Sequence, residues 1–163
     1  MKFFIKGHLT YDSVLKRERI VDEIYFNSTK TYYDILYLHQ QQKQYRLNLK
    51  TRECVVEPIT RPWRDISIPE TAQSLGESFI GSGEIHNAGL LIHNWFGKFQ
   101  TKENQTVRYM LQFTRVACLP VTAAFITENY GATLMHFADI RPGIKDPKVF
   151  NIPAECNQSD YFY

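Results

Sequence analysis

The sequence predicts an all-β protein, and three observations carry that reading. Aromatic residues make up 14% of the chain, and such side chains favour strands, where they pack on a pleated, half-buried surface. Apolar and polar residues alternate with period two in one segment after another, the pattern of strands with one face turned inward. No segment sustains helical spacing for three turns, so any helix is a short one.

The elements follow in order. Lys6–Asp12 sets Leu9 and Tyr11 in alternation with His8 and Thr10, and Arg17–Tyr25 mixes β-branched residues with charges, giving two strands joined near Ser13. Tyr33–His39 is a dense aromatic and aliphatic run. The polar tract Gln40-Gln41-Gln42-Lys43 then reads as a solvated turn before Tyr45, Leu47 and Leu49, which alternate with Arg46, Asn48 and Lys50. That pattern is a hairpin with one wet face. Glu53–Ile59 is a fifth strand. Residues 60–71, containing Pro62 and Pro69, fit neither period and form a long connection anchored by Trp63. Five more segments alternate as strands do: Leu75–Gly81, Gly89–Phe96, Val107–Ala117, Val121–Tyr130 and Thr133–Ile140. A short helix fits near Pro69–Leu75 or around Asp146–Phe150. About ten meandering strands must close as a barrel or stack as two sheets, and both solutions enclose a core or a cavity.

A chain of 163 residues with 44% hydrophobic and 22% charged residues is long and apolar enough to bury a core as a single domain over 1–163. A formal charge of +2 is too small for binding driven by phosphate neutralisation, which excludes nucleic acid as the expected partner. No apolar run approaches the roughly 20 residues of a transmembrane helix. The start, Met1-Lys2-Phe3-Phe4-Ile5-Lys6, is shorter in apolar residues than a secretory signal requires, so no signal peptide is expected in the chain as it stands.

Catalytic and metal motifs are missing from the pattern. The five histidines, His8, His39, His86, His93 and His136, match no metal-ligand spacing, and no GxSxG elbow or phosphate loop occurs. Asp12, Asp139 and Asp146 could in principle meet around calcium, although their spacing matches no calcium loop. What stands out instead is apolar. Phe79, Leu90, Ile92, Trp95, Tyr109, Leu111, Phe113, Phe125, Met135 and Phe137 are the candidates to line a pocket, and a lipid-like ligand suits such a lining.

Three cysteines, Cys54, Cys118 and Cys156, form no zinc knuckle or CxxC pair, and on their own they fit reduced cytosolic thiols as well as an oxidised protein. Three glycosylation sequons shift the balance toward the secretory pathway: Asn27-Ser28-Thr29, Asn104-Gln105-Thr106 and Asn157-Gln158-Ser159.

The C-terminal third carries a resemblance. It runs Ala117-Cys118-Leu119-Pro120-Val121, then Phe137-Ala138-Asp139-Ile140, then Gly143-Ile144-Lys145-Asp146-Pro147-Lys148-Val149-Phe150 and on through Pro153-Ala154-Glu155-Cys156. Upstream come Leu9-Thr10-Tyr11-Asp12, Arg52-Glu53-Cys54, Arg61-Pro62-Trp63 and Asp65-Ile66-Ser67-Ile68-Pro69. In this order the words resemble the ependymin and ependymin-related proteins over nearly the whole chain. The resemblance implies two curved antiparallel sheets similar to bacterial lipoprotein carriers, a half-barrel or sandwich around a hydrophobic pocket. It also implies a secreted or lysosomal glycoprotein without catalytic activity, often a homodimer, that binds anionic lipids or gangliosides, contacts membranes peripherally and interacts with calcium. The alternative it carries is a matrix or cell-adhesion protein without a lipid cavity. From its cysteine contexts it implies a Cys54–Cys156 disulfide. The family's further cysteine near the mature N-terminus has no counterpart here, which implies a shortened N-terminal segment and leaves Cys118 unpaired.

Overall fold

The computed structural model describes residues 3–101, 103–127 and 131–158. It contains β1 (Phe3–Asp12), β2 (Arg17–Phe26), β3 (Thr29–Leu38), β4 (Lys43–Asn48), β5 (Cys54–Pro58), β6 (Gln73–Gly81), β7 (Gly89–Gln100), β8 (Thr106–Thr114), β9 (Pro120–Thr127) and β10 (Gly131–His136). They form two open antiparallel five-stranded sheets, ordered β1-β2-β3-β4-β5 and β10-β9-β8-β7-β6. Neither closes into a barrel. Two units result, one from the chain up to Asp65 together with the stretch from Gly143 onward, the other from Ile66–Pro142. Among the described residues no helix is long and apolar enough to cross a membrane.

In the first unit, side chains that satisfy local backbone donors make the turns. Asp12 Oδ1 accepts from the backbone N–H groups of Val14 and Leu15 at 3.1 Å each, and its other oxygen accepts from Arg17 Nε at 2.8 Å, which closes β1 onto β2. These donors, the Leu15 N–H first and then Arg17, hold its carboxyl below the usual carboxylate range against the opposing effect of burial. Asn48 plays the same part between β4 and β5, accepting from Lys50 and Thr51. The Gln40–Gln42 tract is indeed a turn: a 3₁₀ helix over His39–Gln41 ends on Gln42 with φ 55°.

One face of this sheet carries the core. Leu36, Tyr45 and Leu47 are buried there, and the returning C-terminal segment covers them with Phe150 and Cys156, supported by Ile144, Val149 and Ile152. An ion pair between Arg52 and Glu155 ties that segment down, and three further attachments fix it. A disulfide joins Cys54 to Cys156 across 102 residues, Arg19 Nη1 donates to the Val149 carbonyl at 2.6 Å while its guanidinium pairs with Asp34, and Arg17 lies 4.2 Å over the Phe150 ring. A 3₁₀ helix over Pro147–Phe150 is started by Asp146, whose side chain accepts from Lys148 N at 2.9 Å, with Pro147 at its first position. On the connection after β5, Trp63 stacks on Tyr11 at 5.1 Å and 13°, and both donate to Asp65 Oδ1 at 3.0 Å.

The strand bounds depart from the sequence pattern in ways that follow from pairing. β1 begins at Phe3 and β3 at Thr29, because both continue alongside β2 up to the Phe3–Phe26 and Phe26–Thr29 pairs. β8 ends at Thr114 and β10 at His136. The tail of the expected Val121–Tyr130 strand, residues 128–130, lies outside the described residues. No helix forms at Pro69–Leu75. A single turn closes there by Ala72 N–H donating to the Pro69 carbonyl at 2.9 Å, and β6 starts at Gln73.

Candidate functional site

The second unit is organised around one face of its sheet. Period-two alternation puts His93, Trp95, Gly97 and Phe99 of β7 on one side, and the register pairs His93 with Phe113, Trp95 with Leu111, and Gly97 with Tyr109 of β8. β9 extends the same face, with Phe125 opposite Tyr109 and Ala123 opposite Leu111. Tyr109, Leu111, Phe113 and Ala123 are buried, and Ile68, Ala72, Trp95, Phe99, Phe125 and Phe137 pack against them. Six of the ten candidate pocket residues therefore meet in one aromatic cluster.

The other four lie outside the cluster. Met135 pairs with Ala123 and belongs to the same face, but β10 is the edge strand and leaves it 40% exposed. Phe79 pairs with Leu91 on that face too and is 49% exposed. Leu90 and Ile92 occupy even positions of β7 and point to the opposite face, Leu90 exposed and Ile92 fully buried. Ile68, Ala72 and Phe99 complete the cluster although the candidate set omits them. Phe99 was legible, because it continues the Trp95, Gly97 alternation by one step.

Two polar atoms give this face its chemistry. Trp95 Nε1 and Tyr109 Oη are buried with no hydrogen-bond partner among the described residues. Buried indole and phenol groups ordinarily find a partner, since leaving one unmade costs about 1–3 kcal/mol. Next to them, His93 stacks on Trp95 at 4.4 Å and shares a 2.7 Å hydrogen bond with Ser74 Oγ. The arrangement combines an apolar floor with two outstanding donors. Each of the two can donate one hydrogen bond to an acceptor brought to it.

Elsewhere the candidate residues serve local structure. Asp12 and Asp146 are used in the turn and the cap described above, and among the described residues no three His, Cys, Asp or Glu side chains converge to hold a metal ion. His8, His86 and His136 are exposed. His39 is buried with Nε2 unpartnered, edge-on to Trp63 at 5.1 Å. Burial first, and the positive charge of Arg61 second, push its pKa below the usual histidine value, while Glu18 opposes them. On the first sheet, Asp22 is also buried with Oδ1 unpartnered. Desolvation raises its pKa, and the charge of Arg46 only partly offsets that.

All three sequon asparagines are exposed: Asn27 between β2 and β3, Asn104 between β7 and β8, and Asn157 in the 3₁₀ helix over Ala154–Gln158. Ser159 of the third sequon lies outside the described residues. Cys118 is an exposed free thiol in the β8–β9 loop, where Ala117 and Cys118 both have positive φ.

The family model described as Ependymin matches residues 27–156. "Ependymin" of Notemigonus crysoleucas is 28% identical over 150 residues, covering 92% of this chain and 68% of that protein. "Ependymin-1" of Oncorhynchus mykiss is 26% identical over 151 residues, 92% of this chain and 66% of its own length. "Mammalian ependymin-related protein 1" of Rattus norvegicus is 26% identical over 150 residues, 91% of this chain and 64% of its own. The chain thus spans about two thirds of the length of the curated relatives it matches. With a family match over most of its length and two antiparallel sheets to go with it, the chain belongs to the ependymin family.

Proposed function

We propose that this chain is a non-catalytic, secretory-pathway glycoprotein that binds an amphipathic, anionic lipid or ganglioside-like ligand on the aromatic face of β7, β8 and β9. The observation that carries this reading is the pair of unpartnered donors, Trp95 Nε1 and Tyr109 Oη, set among Leu111, Phe113, Phe125 and Phe137. Buried donors without a partner are few in a packed structural face, and a ligand carbonyl, ester or hydroxyl would satisfy these two. Exposed Phe79 and Met135 widen the apolar surface at the two outer strands. Both suit an acyl chain, Met by virtue of its unbranched, adaptable side chain. The small positive charge of the chain favours an anionic head group, and protonation of histidines on acidification strengthens that attraction in a secreted or lysosomal setting. The route through the secretory pathway is supported by the Cys54–Cys156 disulfide and the exposed sequons, and the binding form in this reading is a homodimer.

Extraction of the purified protein with organic solvent, followed by mass spectrometry, tests the reading. A stoichiometric phospholipid or glycolipid is the expected result, while lipid at the level of an unrelated control protein would overturn it.

A further inference from the structure

The three sequons are alike in sequence but not in setting, and Asn27 has an aromatic residue, Phe26, directly before it. β2 and β3 are joined by a two-residue turn, Asn27-Ser28, with φ of 44° and 64°. Positive φ at both central positions is the geometry of the tight type I′ hairpin, which asparagine tolerates well and serine poorly. The residues flanking the turn, Phe26 and Thr29, are direct cross-strand partners and so share one face. Phe26 pairs on its other side with Phe3, so Phe3, Phe26 and Thr29 form a row across the sheet. Both phenylalanines are exposed, Phe3 at 57% and Phe26 at 36%. The turn therefore presents, within four residues, a glycosylation acceptor, the Thr29 hydroxyl the sequon requires, and an uncovered aromatic ring adjacent to the acceptor.

We propose that Asn27 carries an N-linked glycan whose first sugar stacks on Phe26 and clamps the β2–β3 turn. In the transfer the Asn27 side-chain nitrogen attacks C1 of a lipid-pyrophosphate-linked oligosaccharide. The N–C1 bond forms, the C1–O bond to pyrophosphate breaks, the amide loses one proton and the lipid pyrophosphate departs. An N-acetylglucosamine ring has an apolar face of axial C–H bonds, and those hydrogens, made slightly positive by the neighbouring oxygens, are attracted to the negative face of a phenyl ring. The sugar thereby covers the exposed Phe26 surface and holds Ser28 in its unfavourable conformation. Asn104 has no aromatic residue next to it in the chain. It follows Glu103 in a turn closed by its own N–H donating to the Thr101 carbonyl at 3.0 Å. Asn157 follows Cys156, which is tied into the first-sheet core.

The inference rests on the secretory route proposed above, and the test separates the two. The full chain is fused to a secretory leader, expressed in eukaryotic cells, and compared by glycopeptide mapping and thermal unfolding with and without amidase treatment that strips N-glycans. A second comparison uses Phe26→Ala in both states. The expected result is occupancy at Asn27 and a melting temperature that falls by about 2–4 °C on deglycosylation, the shift for a contact of ordinary aromatic strength in a chain of this size. Phe26→Ala should then abolish most of that difference, so that the effects of ring and sugar are strongly non-additive. Glycan at Asn104 or Asn157 with none at Asn27 overturns this inference and leaves the secretory reading standing. Occupancy at Asn27 with a deglycosylation shift that Phe26→Ala does not change overturns it too. Absence of glycan from all three sites overturns both.

Discussion

The hydroxyl of Tyr109 sits directly over Gly97, its cross-strand partner, so closely that a Cβ at position 97 would lie 2.2 Å from Oη and 2.4 Å from Cζ. Glycine is required here by close approach rather than by backbone conformation. Gly97→Ala must push the buried ring aside, and overpacking of this kind costs about 1–3 kcal/mol. In urea unfolding the variant should show that loss, and Tyr109→Leu, which shortens the side chain, should recover part of it in the double variant. Additive losses in the two variants would show that the contact is not the cause.

Tyr109→Phe separates stability from binding. It removes a buried hydroxyl that has no partner, so relief of the desolvation cost of about 1–3 kcal/mol should leave the ligand-free protein at least as stable as the parent. Lipid affinity should fall several-fold, because the same hydroxyl serves the ligand. A variant that loses stability and keeps its affinity would mark the hydroxyl as structural.

Asp22 gives a pH dependence of definite sign. Its folded pKa is raised by burial, so the folded state binds the proton more tightly than the unfolded chain, and the penalty of its charge is present at neutral pH and relieved as pH falls through the folded value. Asp22→Asn should therefore raise the melting temperature at neutral pH, with the gain shrinking on acidification toward the ordinary carboxylate range. Thermal scans across that window check it, and a gain that grows as pH falls would refute it.

His39 works in the opposite direction. Its folded pKa is lowered, so the unfolded chain takes up the proton first and stability is lost as pH falls through 6.5, down to the depressed folded value. His39→Leu, which keeps an apolar body beside Trp63, should flatten the stability curve over this interval. An unchanged slope in that variant would assign the acid sensitivity elsewhere.

The Cys54–Cys156 disulfide closes a loop of about 100 residues, which the chain-entropy account values at up to about 4.7 kcal/mol. Reduction, or Cys54→Ser with Cys156→Ser, should lower stability by several kcal/mol in urea and expose the segment from Gly143 onward to protease, since that bond joins Arg19 in holding it. Protection of that segment equal to the parent's would contradict this.

The fold was legible to the extent that alternation reports a half-buried strand. Tyr45 and Leu47 against Arg46, or Tyr109, Leu111 and Phe113 against Arg108, Met110 and Gln112, show their faces in the sequence itself. Register was not legible. The irregularities at Ser74/Gly76 and Gln112/Phe113 shift pairing by a residue; Gly76, with φ 87°, marks the first as a strand glycine often does, while no glycine marks the second. Leu90 and Ile92, by contrast, needed no register to place: they are as apolar as Trp95, but stand at even positions of β7 and so face away from it. The depth of the Trp95 and Tyr109 polar atoms was hidden for a related reason, because burial depends on what three neighbouring strands and the Ile68–Ala72 turn bring to the same spot.

The most direct test of the central claim is photocrosslinking with a diazirine-bearing phosphatidylserine, followed by peptide mapping of the labelled full-length chain. Labelling concentrated on the peptides holding Trp95, Tyr109, Leu111 and Phe125, competed by unlabelled lipid and reduced in Tyr109→Phe, is the predicted result. Label confined to the first sheet, or spread without competition over the whole chain, would contradict it.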